Sequence, residues 1–488
     1  MAAIPRIVVA APASGHGKTT VAVGLLAALA GRGLTPSGFK IGSDYVDAGY
    51  LGLAGGRPGR NLDPRLQGVD RVAPLFAHGA AGSDIAVVEG AMGLYDGLSG
   101  MAGMESTAQV AGLIKAPVLL VADVGAMGQS VAALVHGFRS FDELLWLGGV
   151  ILTRVVSERH EQVLREALDD IGVPVLGAVR RSNLTALPNR SLGVAPVVDR
   201  ATEAVRAVRR LGSVIAGSVD LDRIVALARS APELTVPAWS ATDAVATAAK
   251  RGADATRVLS VPTAADGGVT GAPEPAGTPA TPRRDRADQP KPVIAVAGGP
   301  TFSYSYPETV ELLAAAGAEV VPFDPLREEV LPDGTRGLVF GGAFPELYAD
   351  ELSANEQLCR AVSDLAIAGA PVVAESTGLV WLVKECDGRP MCGALNASAS
   401  TTGSLVLGYR ESVARASSPL VPLGATVTGH KSHRTVVTPR SGDNAAWQWC
   451  GAPPEGFVWR QVHASYLNLH WAGYPGIAKR FIAAAGRP

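Results

Sequence analysis

The sequence lacks long apolar runs and has few cysteines. No apolar run approaches the roughly 20 residues that cross a bilayer, which argues against a membrane-spanning chain. The N-terminal apolar segment lacks the basic region of a signal peptide and leads into a glycine-rich loop, so we expect it to be a first β-strand. The four cysteines show no CxxC spacing, which favours buried thiols over disulfides or a metal site. These absences predict a cytoplasmic protein without a membrane partner.

Charge is also sparse, and its signs are balanced. Charged residues make up 18% of the 488 residues and the net charge is −2, so the composition gives no sign of a nucleic-acid partner. Apolar residues make up 47%, which is typical of a globular α/β protein. A chain of this length favours about two or three domains with large cores.

Short runs of Val, Ile and Leu alternate with amphipathic stretches along the first half of the chain. This alternation predicts an α/β fold in which residues 1–235 form a doubly wound parallel sheet. Residues 236–291 include a long stretch rich in Gly, Pro, Ala and Thr without periodicity, which predicts a largely flexible linker. The strand-rich pattern restarts at "PVIAVAGG", so we expect residues 292–488 to form a second α/β domain.

The segment "APASGHGKTT", Ala11–Thr20, lies between the first predicted strand and a predicted helix. Its glycines let backbone N–H groups converge on phosphate oxygens, Lys18 adds a cation, and the Thr19 hydroxyl can complete the coordination of Mg²⁺. Pro12 stands where such a P-loop usually has its first glycine, but the position between strand and helix supports a phosphate site. The residues predicted to bind ATP are Ser14, Gly15, His16, Gly17, Lys18, Thr19 and Thr20.

Charged residues follow two further predicted strands. Lys40 ends one strand, and Asp44 and Asp47 lie in the loop after it. Glu89 ends a buried strand, where ligands bind in open α/β sheets, and can hold Mg²⁺ opposite Thr19. Two other acids are less specific: Asp96 lies in the loop beyond Glu89, and Asp123 is either a site residue or a strand-end cap.

Ordered stretches across nearly the whole chain resemble the cobyrinate (or hydrogenobyrinate) a,c-diamide synthases of cobalamin biosynthesis. They include "APASGHGKTT", "GRPGRNLDP", "EGAMGLYDG", "GGAFPELYADELSAN", "LGYRE" and "VHASYLNLHWAGYP". The resemblance implies an N-terminal ATP-binding domain similar to dethiobiotin synthetase and a C-terminal class I glutamine amidotransferase-like, flavodoxin-like domain. It also implies a reaction: ATP phosphorylates a substrate carboxylate, and ammonia then displaces phosphate to leave an amide.

The resemblance assigns roles to residues of the first half. The implied catalytic residues are Lys18, Lys40, Asp44, Glu89 and Asp96. The implied Mg²⁺ ligands are Thr19, Glu89 and Asp44, and the implied contacts to a corrinoid-like polycarboxylate are Asp44, Tyr45, Asp47 and Asn61. A homodimer is the default expectation for a symmetric enzyme. The acidic set in these loops favours a ligase over the alternative, a nucleotide-binding regulator or scaffold of the MinD/ParA type.

The second half departs from the family pattern at its glutaminase site. The family has cysteine at the strand–helix elbow, where this chain has Ser376, and histidine at the position of Asn468, while His470 is retained. A serine hydroxyl needs a well-placed base to become a nucleophile. We therefore expect a domain without glutaminase activity, supplied with free ammonia or with ammonia from a separate partner. The alternatives are a Ser–His hydrolase and a glutamine-dependent enzyme with an engineered cysteine-to-serine change.

Overall fold

The computed structural model describes residues 4–97, 105–182, 186–190, 193–250 and 290–486. Within these ranges the first half forms a seven-stranded sheet in the order β3-β2-β4-β1-β5-β6-β7, with parallel pairs throughout. The strands are β1 (Arg6–Ala10), β2 (Pro36–Ile41), β3 (Arg60–Leu62), β4 (Ile85–Glu89), β5 (Val118–Asp123), β6 (Leu147–Val155) and β7 (Val175–Arg180). A short pair, β8 (Asn189–Arg190) and β9 (Gly193–Val194), lies outside this sheet.

Both faces of this sheet are covered, because its central strands are apolar on both sides. Ile7 and Val9 belong to one buried cluster, whereas Val8 between them belongs to another. The helices of this half are α1 (Lys18–Gly31), α2 (Tyr45–Gly55), α3 (Pro64–Gln67), α4 (Val69–Gly79), α5 (Thr107–Leu113), α6 (Ser130–Phe141), α7 (Glu158–Asp169), α8 (Ala201–Ser218), α9 (Leu221–Arg229) and α10 (Ala241–Lys250). The predicted doubly wound α/β fold is confirmed.

The second half has its own, mainly parallel sheet, in the order β11-β10-β12-β13-β20-β19. Only its edge pair, β19 with β20, is antiparallel among these described strands. The strands are β10 (Val293–Ala297), β11 (Glu319–Phe323), β12 (Thr335–Phe340), β13 (Val372–Glu375), β19 (Phe457–Trp459) and β20 (Val462–Ser465). The helices are α11 (Pro307–Ala315), α12 (Ala349–Ala354), α13 (Glu356–Ile367), α14 (Leu379–Leu382) and α15 (Gly476–Ala485).

An additional sheet in the second half is built on a long antiparallel ribbon. Its strands are β14 (Glu385–Cys386), β15 (Arg389–Pro390), β16 (Ser398–Ala414), β17 (Thr426–Thr438) and β18 (Trp447–Gln448). The sequence pattern predicts a strand around Tyr409, and that residue lies in β16. The ribbon reaches the first half, where the Tyr409 hydroxyl donates to Asp63 at 2.8 Å.

Part of the predicted linker, residues 236–291, is folded rather than flexible. Helix α10 follows Trp239, whose backbone N–H donates to the carbonyl of Pro74, and the side chains of Trp239 and Val245 are buried in the core. The composition of residues 236–291 did not predict helix α10, because the apolar residues of this part precede a long stretch rich in Gly and Pro. The rest of the predicted linker, residues 251–289, lies outside the described residues.

Two sequence expectations concern cysteines and membranes. Three of the four cysteines are buried, as expected for thiols in a core, but Cys450 is exposed. In the described part of the chain, no helix combines the length and the apolar character needed to cross a bilayer.

An ion-pair cluster joins the two halves. Arg60 Nη1 lies 2.6 Å from Glu308 Oε1, and its other terminal nitrogen pairs with Glu311. His78 Nε2 lies 2.9 Å from the same Glu311 carboxylate. Glu308 is fully buried, so Arg60 is the charge that makes its burial tolerable.

Replacing Arg60 by methionine is expected to destabilise the protein strongly. Loss of the guanidinium leaves Glu308 buried without its partner, at a cost of about 3–5 kcal/mol in the free energy of unfolding. Urea unfolding followed by tryptophan fluorescence measures this cost. The control is Arg32→Met, because Arg32 pairs with Asp222 at the exposed surface and such pairs contribute at most about 1 kcal/mol. Equal effects of the two substitutions would contradict the expectation.

Candidate active site

The predicted P-loop has the backbone conformation that an anion site needs. Gly15 and Gly17 have φ of 87° and 92°, in the left-handed region that favours glycine. Helix α1 begins directly after Gly17, and no side chain caps its N-terminus. Its first N–H groups and the positive end of its dipole are therefore available to a phosphate. Ser14 and Gly15 are exposed at the mouth of this loop.

Lys18 lies across the loop rather than pointing into solvent. Its ammonium donates to the carbonyl of Ala13 at 3.1 Å and to that of Met92 in the loop after β4. Asp96 orders the same loop, since its carboxylate accepts from the N–H of Gly93 at 2.8 Å. Lys18 is thus held beside the phosphate site, and Asp96 supports the loop that holds it.

Four side chains converge at the carboxyl ends of β2 and β4. Lys40 and Glu89 are paired residues of these neighbouring strands, and Lys40 Nζ lies 2.8 Å from Glu89 Oε1. Asp47 Oδ2 is 2.7 Å from the same ammonium. Thr19 Oγ1 donates to Glu89 Oε1 at 2.5 Å and lies 3.5 Å from Asp47 Oδ2. The structure therefore brings together the predicted residues Thr19, Lys40 and Glu89, and adds Asp47.

Burial and the paired charges act in opposite directions on the pKa values of this cluster. It raises the pKa of Glu89, although the neighbouring Lys40 opposes the shift. Burial would lower the pKa of Lys40, but the carboxylates of Glu89 and Asp47 outweigh it and raise that pKa. Lys40 thus stays a cation, the form needed next to transferring phosphates.

The cluster fits a magnesium ion by its chemistry. Glu89 is completely buried, and its second oxygen, Oε2, has no hydrogen-bond partner among the described residues. The Thr19 hydroxyl and the Asp47 carboxylate add oxygen donors of the kind that Mg²⁺ prefers. Asp44, predicted as a metal ligand, instead caps α2 by accepting from the N–H of Asp47 at 3.0 Å. In this arrangement Asp47 is better placed than Asp44 to hold the ion.

Two residues predicted to contact substrate support the loop from which Asp44 projects. Asn61 is buried, and its amide donates to the carbonyls of Gly42 and Asp44, each at 2.8 Å. Both of its N–H bonds are thereby used to fix the loop. Tyr45 begins α2 and turns toward the second half, where its ring stacks on Tyr304 with centroids 5.0 Å apart. Neither role could be predicted from the sequence, because Asn61 binds backbone carbonyls and Tyr45 contacts a residue that is distant in the chain.

A cleft of about 260 Å³ opens between the halves beside this loop. Asp44 and Asp47 line one wall, and the opposite wall comes from the second half. The residues of that wall that carry polar or aromatic groups include Tyr304, Phe344, Glu346, His433 and Arg434. Asp47 belongs both to the lining of this cleft and to the cluster at Lys40.

His16 and Asp123 form the wall on the other side of the P-loop. His16 Nδ1 accepts from the backbone N–H of Asp123 at 2.9 Å, and burial lowers the pKa of His16. The Asp123 carboxylate pairs with Arg154 at 2.6 Å and accepts from the N–H of Gly125. Of the two interpretations of Asp123, these contacts favour the strand-end cap.

Ser376 occupies a strand–turn–helix elbow, as predicted. It begins the 3₁₀ turn between β13 and α14, with φ of 53°, the strained geometry that lifts a nucleophile above a sheet. Gly342 passes so close that a Cβ there would lie 2.8 Å from Ser376 Oγ. Thr377 Oγ1 accepts from the N–H of Ala343 at 3.0 Å, which occupies a backbone donor beside the elbow. The elbow has the shape of a nucleophile site, but the N–H of Ala343 beside it already donates to Thr377.

The other two residues of the predicted degenerate glutaminase site bind the first half. Asn468 Oδ1 accepts from the hydroxyl of Tyr45 at 2.5 Å. His470 Nε2 accepts from the amide of Gln67 at 2.8 Å, and burial lowers the pKa of His470 to about 3. Among the described residues, no histidine hydrogen-bonds to Ser376. The Ser–His hydrolase interpretation therefore lacks its base.

Glu375 connects the elbow to the segment that carries Asn468 and His470. Its carboxyl oxygens accept from the N–H of Leu469 at 3.0 Å and from the indole of Trp471 at 3.1 Å. Burial raises the pKa of Glu375 to about 8.

Stability should therefore fall as the pH rises because of Glu375. Its folded pKa of about 8 exceeds its value of 4.5 in a free chain, so folding takes up a proton between these two values. The contribution is largest below about pH 4.5 and is lost as the pH rises to about 8. The Glu375→Gln variant, which cannot titrate, should gain stability relative to wild type between about pH 5.5 and 8 in thermal melts. Glu319→Gln at an exposed strand position should show no such trend, and parallel curves for both variants would contradict the prediction.

Comparison with known proteins covers both halves. Residues 7–194 match the family model of the CobQ/CobB/MinD/ParA nucleotide binding domain, and residues 293–475 match that of the CobB/CobQ-like glutamine amidotransferase domain. The chain is 52% identical over 483 residues to the hydrogenobyrinate a,c-diamide synthase of Streptomyces coelicolor, covering 98% of this chain and 97% of that protein.

Two further relatives show the same full-length agreement. The hydrogenobyrinate a,c-diamide synthase of Thermobifida fusca is 46% identical over 494 residues, covering 99% of this chain and 97% of its own. The cobyrinate a,c-diamide synthase of Gloeobacter violaceus is 37% identical over 482 residues, covering 98% and 96%. The chain therefore belongs to the family of cobyrinate and hydrogenobyrinate a,c-diamide synthases.

Proposed function

We propose that this protein is an ATP- and Mg²⁺-dependent ligase that converts carboxylates of hydrogenobyrinate into amides, with ammonia as the nitrogen donor. The observation that carries the proposal is the cluster of Thr19, Lys40, Asp47 and Glu89 beside the P-loop. The substrate follows from the names of relatives with 52% and 46% identity over nearly the whole chain.

The reaction needs two displacements, and the site supports both. A substrate carboxylate oxygen attacks the terminal phosphorus of ATP and releases ADP, which leaves an acyl phosphate. Ammonia then attacks the acyl carbon, phosphate departs with the C–O bond electrons, and the nitrogen loses a proton. Bound Mg²⁺ would neutralise negative charge on the phosphates in the first displacement.

The chain's own residues would orient and neutralise the reacting groups. The P-loop N–H groups and Lys18 hold phosphate oxygens, and Lys40 adds a second cation at the carboxyl end of β2. Thr19, Glu89 and Asp47 would hold the metal ion. The cleft between the halves would admit the acceptor and exclude bulk water from the acyl phosphate.

The amidation reaction can be tested directly. Purified protein with ATP, MgCl₂, ammonium chloride and hydrogenobyrinate is expected to give amide products that mass spectrometry resolves, and cobyrinate tests acceptor choice. Glu89→Gln should lower kcat by about 100-fold or more, because it removes a charge at the site of phosphoryl transfer. Glu158→Gln, at an exposed position of α7, should leave kcat unchanged. ATP hydrolysis that does not depend on the acceptor would instead favour the alternative, a nucleotide-binding regulator or scaffold of the MinD/ParA type.

The nitrogen source is the second part of the proposal. The elbow carries Ser376, and the side chains of Asn468 and His470 hydrogen-bond to Tyr45 and Gln67. A covalent thioester route is closed without a thiol at position 376. Ammonia from solution or from a separate glutaminase would therefore supply the second displacement.

Glutamine is accordingly expected to be inert with this protein. Purified protein should release no glutamate from glutamine, and Ser376→Ala should keep ammonia-dependent amidation within about twofold of wild type. Ser376→Cys alone should also release no glutamate, because no histidine in the described part of the chain hydrogen-bonds to this position to act as its base. Glutamate release by wild type that Ser376→Ala abolishes would show that the elbow is a working nucleophile site.

The assembly and location of the protein stay predictions. A homodimer, a cytoplasmic location and a separate ammonia-producing partner are compatible with the proposed reaction. No step of that reaction depends on them.

A further inference from the structure

Two residues of the predicted degenerate glutaminase site, Asn468 and His470, contact the first half around residues 42–47, which are here called the substrate loop. Asn468 is buried, and its Oδ1 accepts from the Tyr45 hydroxyl at 2.5 Å. The Tyr45 ring contacts Tyr304 and Tyr306, with ring centroids 5.0 and 4.7 Å away. Residues of the second half thus contact both the ring and the hydroxyl of Tyr45.

In the sequence, Tyr45 lies between the two carboxylates that line the cleft. Asp44 precedes it as the N-cap of α2, and Asp47 follows within the first turn and pairs with Lys40 at 2.7 Å. A helix turn is stiff, so fixing the Tyr45 side chain fixes both carboxylates relative to the P-loop. Burial raises the pKa of Tyr45 well above its ordinary value, so the hydroxyl keeps the proton that it donates.

A second contact supports the same loop from its other side. The amide of Gln67 donates to His470 and to the carbonyl of Asn61, each at 2.8 Å. The Asn61 side chain in turn holds the carbonyls of Gly42 and Asp44. His470 also stacks on Tyr306, at 4.0 Å between ring centroids, which joins the two contacts.

We propose that Asn468 is a positioning residue for amidation: its bond to Tyr45 holds the first turn of α2, with Asp44 and Asp47, where it orients the acceptor carboxylate. In this role the second half works as a rigid wall of the ligase site instead of an ammonia source. The inference rests on the proposed function, since it assigns a role within that reaction.

A double-mutant cycle tests the hydrogen bond. Tyr45→Phe and Asn468→Leu should each lower kcat/KM for the acceptor by about tenfold at saturating ATP and ammonium, as expected for one hydrogen bond of typical strength. The double variant should be no worse than either single one, because both remove the same bond. The KM for ATP should stay within about twofold in all three. Asn468→Asp, which keeps the acceptor oxygen, should retain more activity than Asn468→Leu.

Tyr348→Phe is the matched control. It removes a tyrosine–carboxylate bond between the halves, 2.8 Å from Tyr348 to Asp199, at a place outside the substrate loop. It should leave kcat/KM for the acceptor unchanged. A loss equal to that of Tyr45→Phe would mean that any contact between the halves matters equally, and would overturn the inference.

Hydrogen exchange separates this inference from the proposed function. The N–H groups in the first two turns of α2 should exchange faster in Tyr45→Phe and Asn468→Leu than in wild type. Faster exchange in these two variants, together with a wild-type protein that forms no amide, would leave the contact standing and refute the function. Additive kinetic losses, an equal rise in the KM for ATP, or unchanged exchange with unchanged kinetics would each refute the positioning role. If Asn468→Leu does not fold, Tyr45→Phe, which deletes only a hydroxyl, decides the question alone.

Discussion

The buried ion pair between Lys40 and Glu89 sets the position of the groups around the P-loop. The two residues are partners in the register of β2 and β4, so the sheet itself brings their charges together. A carboxylate as buried as Glu89 would be strongly unfavourable without a partner, and Lys40 supplies one at 2.8 Å. The pair then orients Thr19 from the P-loop and Asp47 from α2. The P-loop, the proposed metal ligands and the cleft therefore all adjoin one buried ion pair of the sheet.

Residues of the second half contact the N-terminus of α2. Asp44 caps the helix from within, but Tyr45 has its ring and hydroxyl in contacts with the other half. The Arg60 ion pairs and the hydrogen bond from Tyr409 to Asp63 also join the two halves around this loop. Geometry within about 0.5 Å matters for positioned catalytic groups, and loops alone rarely provide it. The interface explains how a loop can be part of a precise site.

Sequence reasoning predicted local geometry where it depends on neighbours in the chain. The P-loop and the elbow at Ser376 are each set by a strand, a turn and a helix in succession, and Glu89 ends a buried strand, so local pattern suffices. It was less informative for Asp44 and Asp47, which share one helix turn, since only the packing of α2 decides which faces Lys40.

Contacts between distant residues could not be predicted in this way. The roles of Asn61 and His470 depend on backbone carbonyls and on Gln67, which no periodicity identifies. Helix α10 was not predicted, because the Gly- and Pro-rich stretch that follows it dominated the composition of that part of the sequence. Both failures have one physical cause: tertiary packing decides what a short polar or apolar segment contacts.

The elbow at Ser376 has the strained backbone of a nucleophile turn. A non-glycine residue in the left-handed region costs about 1–3 kcal/mol, so the conformation of Ser376 must be held by its surroundings. Gly342 leaves room for it, Thr377 bonds to Ala343, and Glu375 anchors Leu469 and Trp471. Those anchors also place the segment of Asn468 against Tyr45. The strained turn therefore stays under structural constraint, because relaxing it would shift the wall of the ligase site.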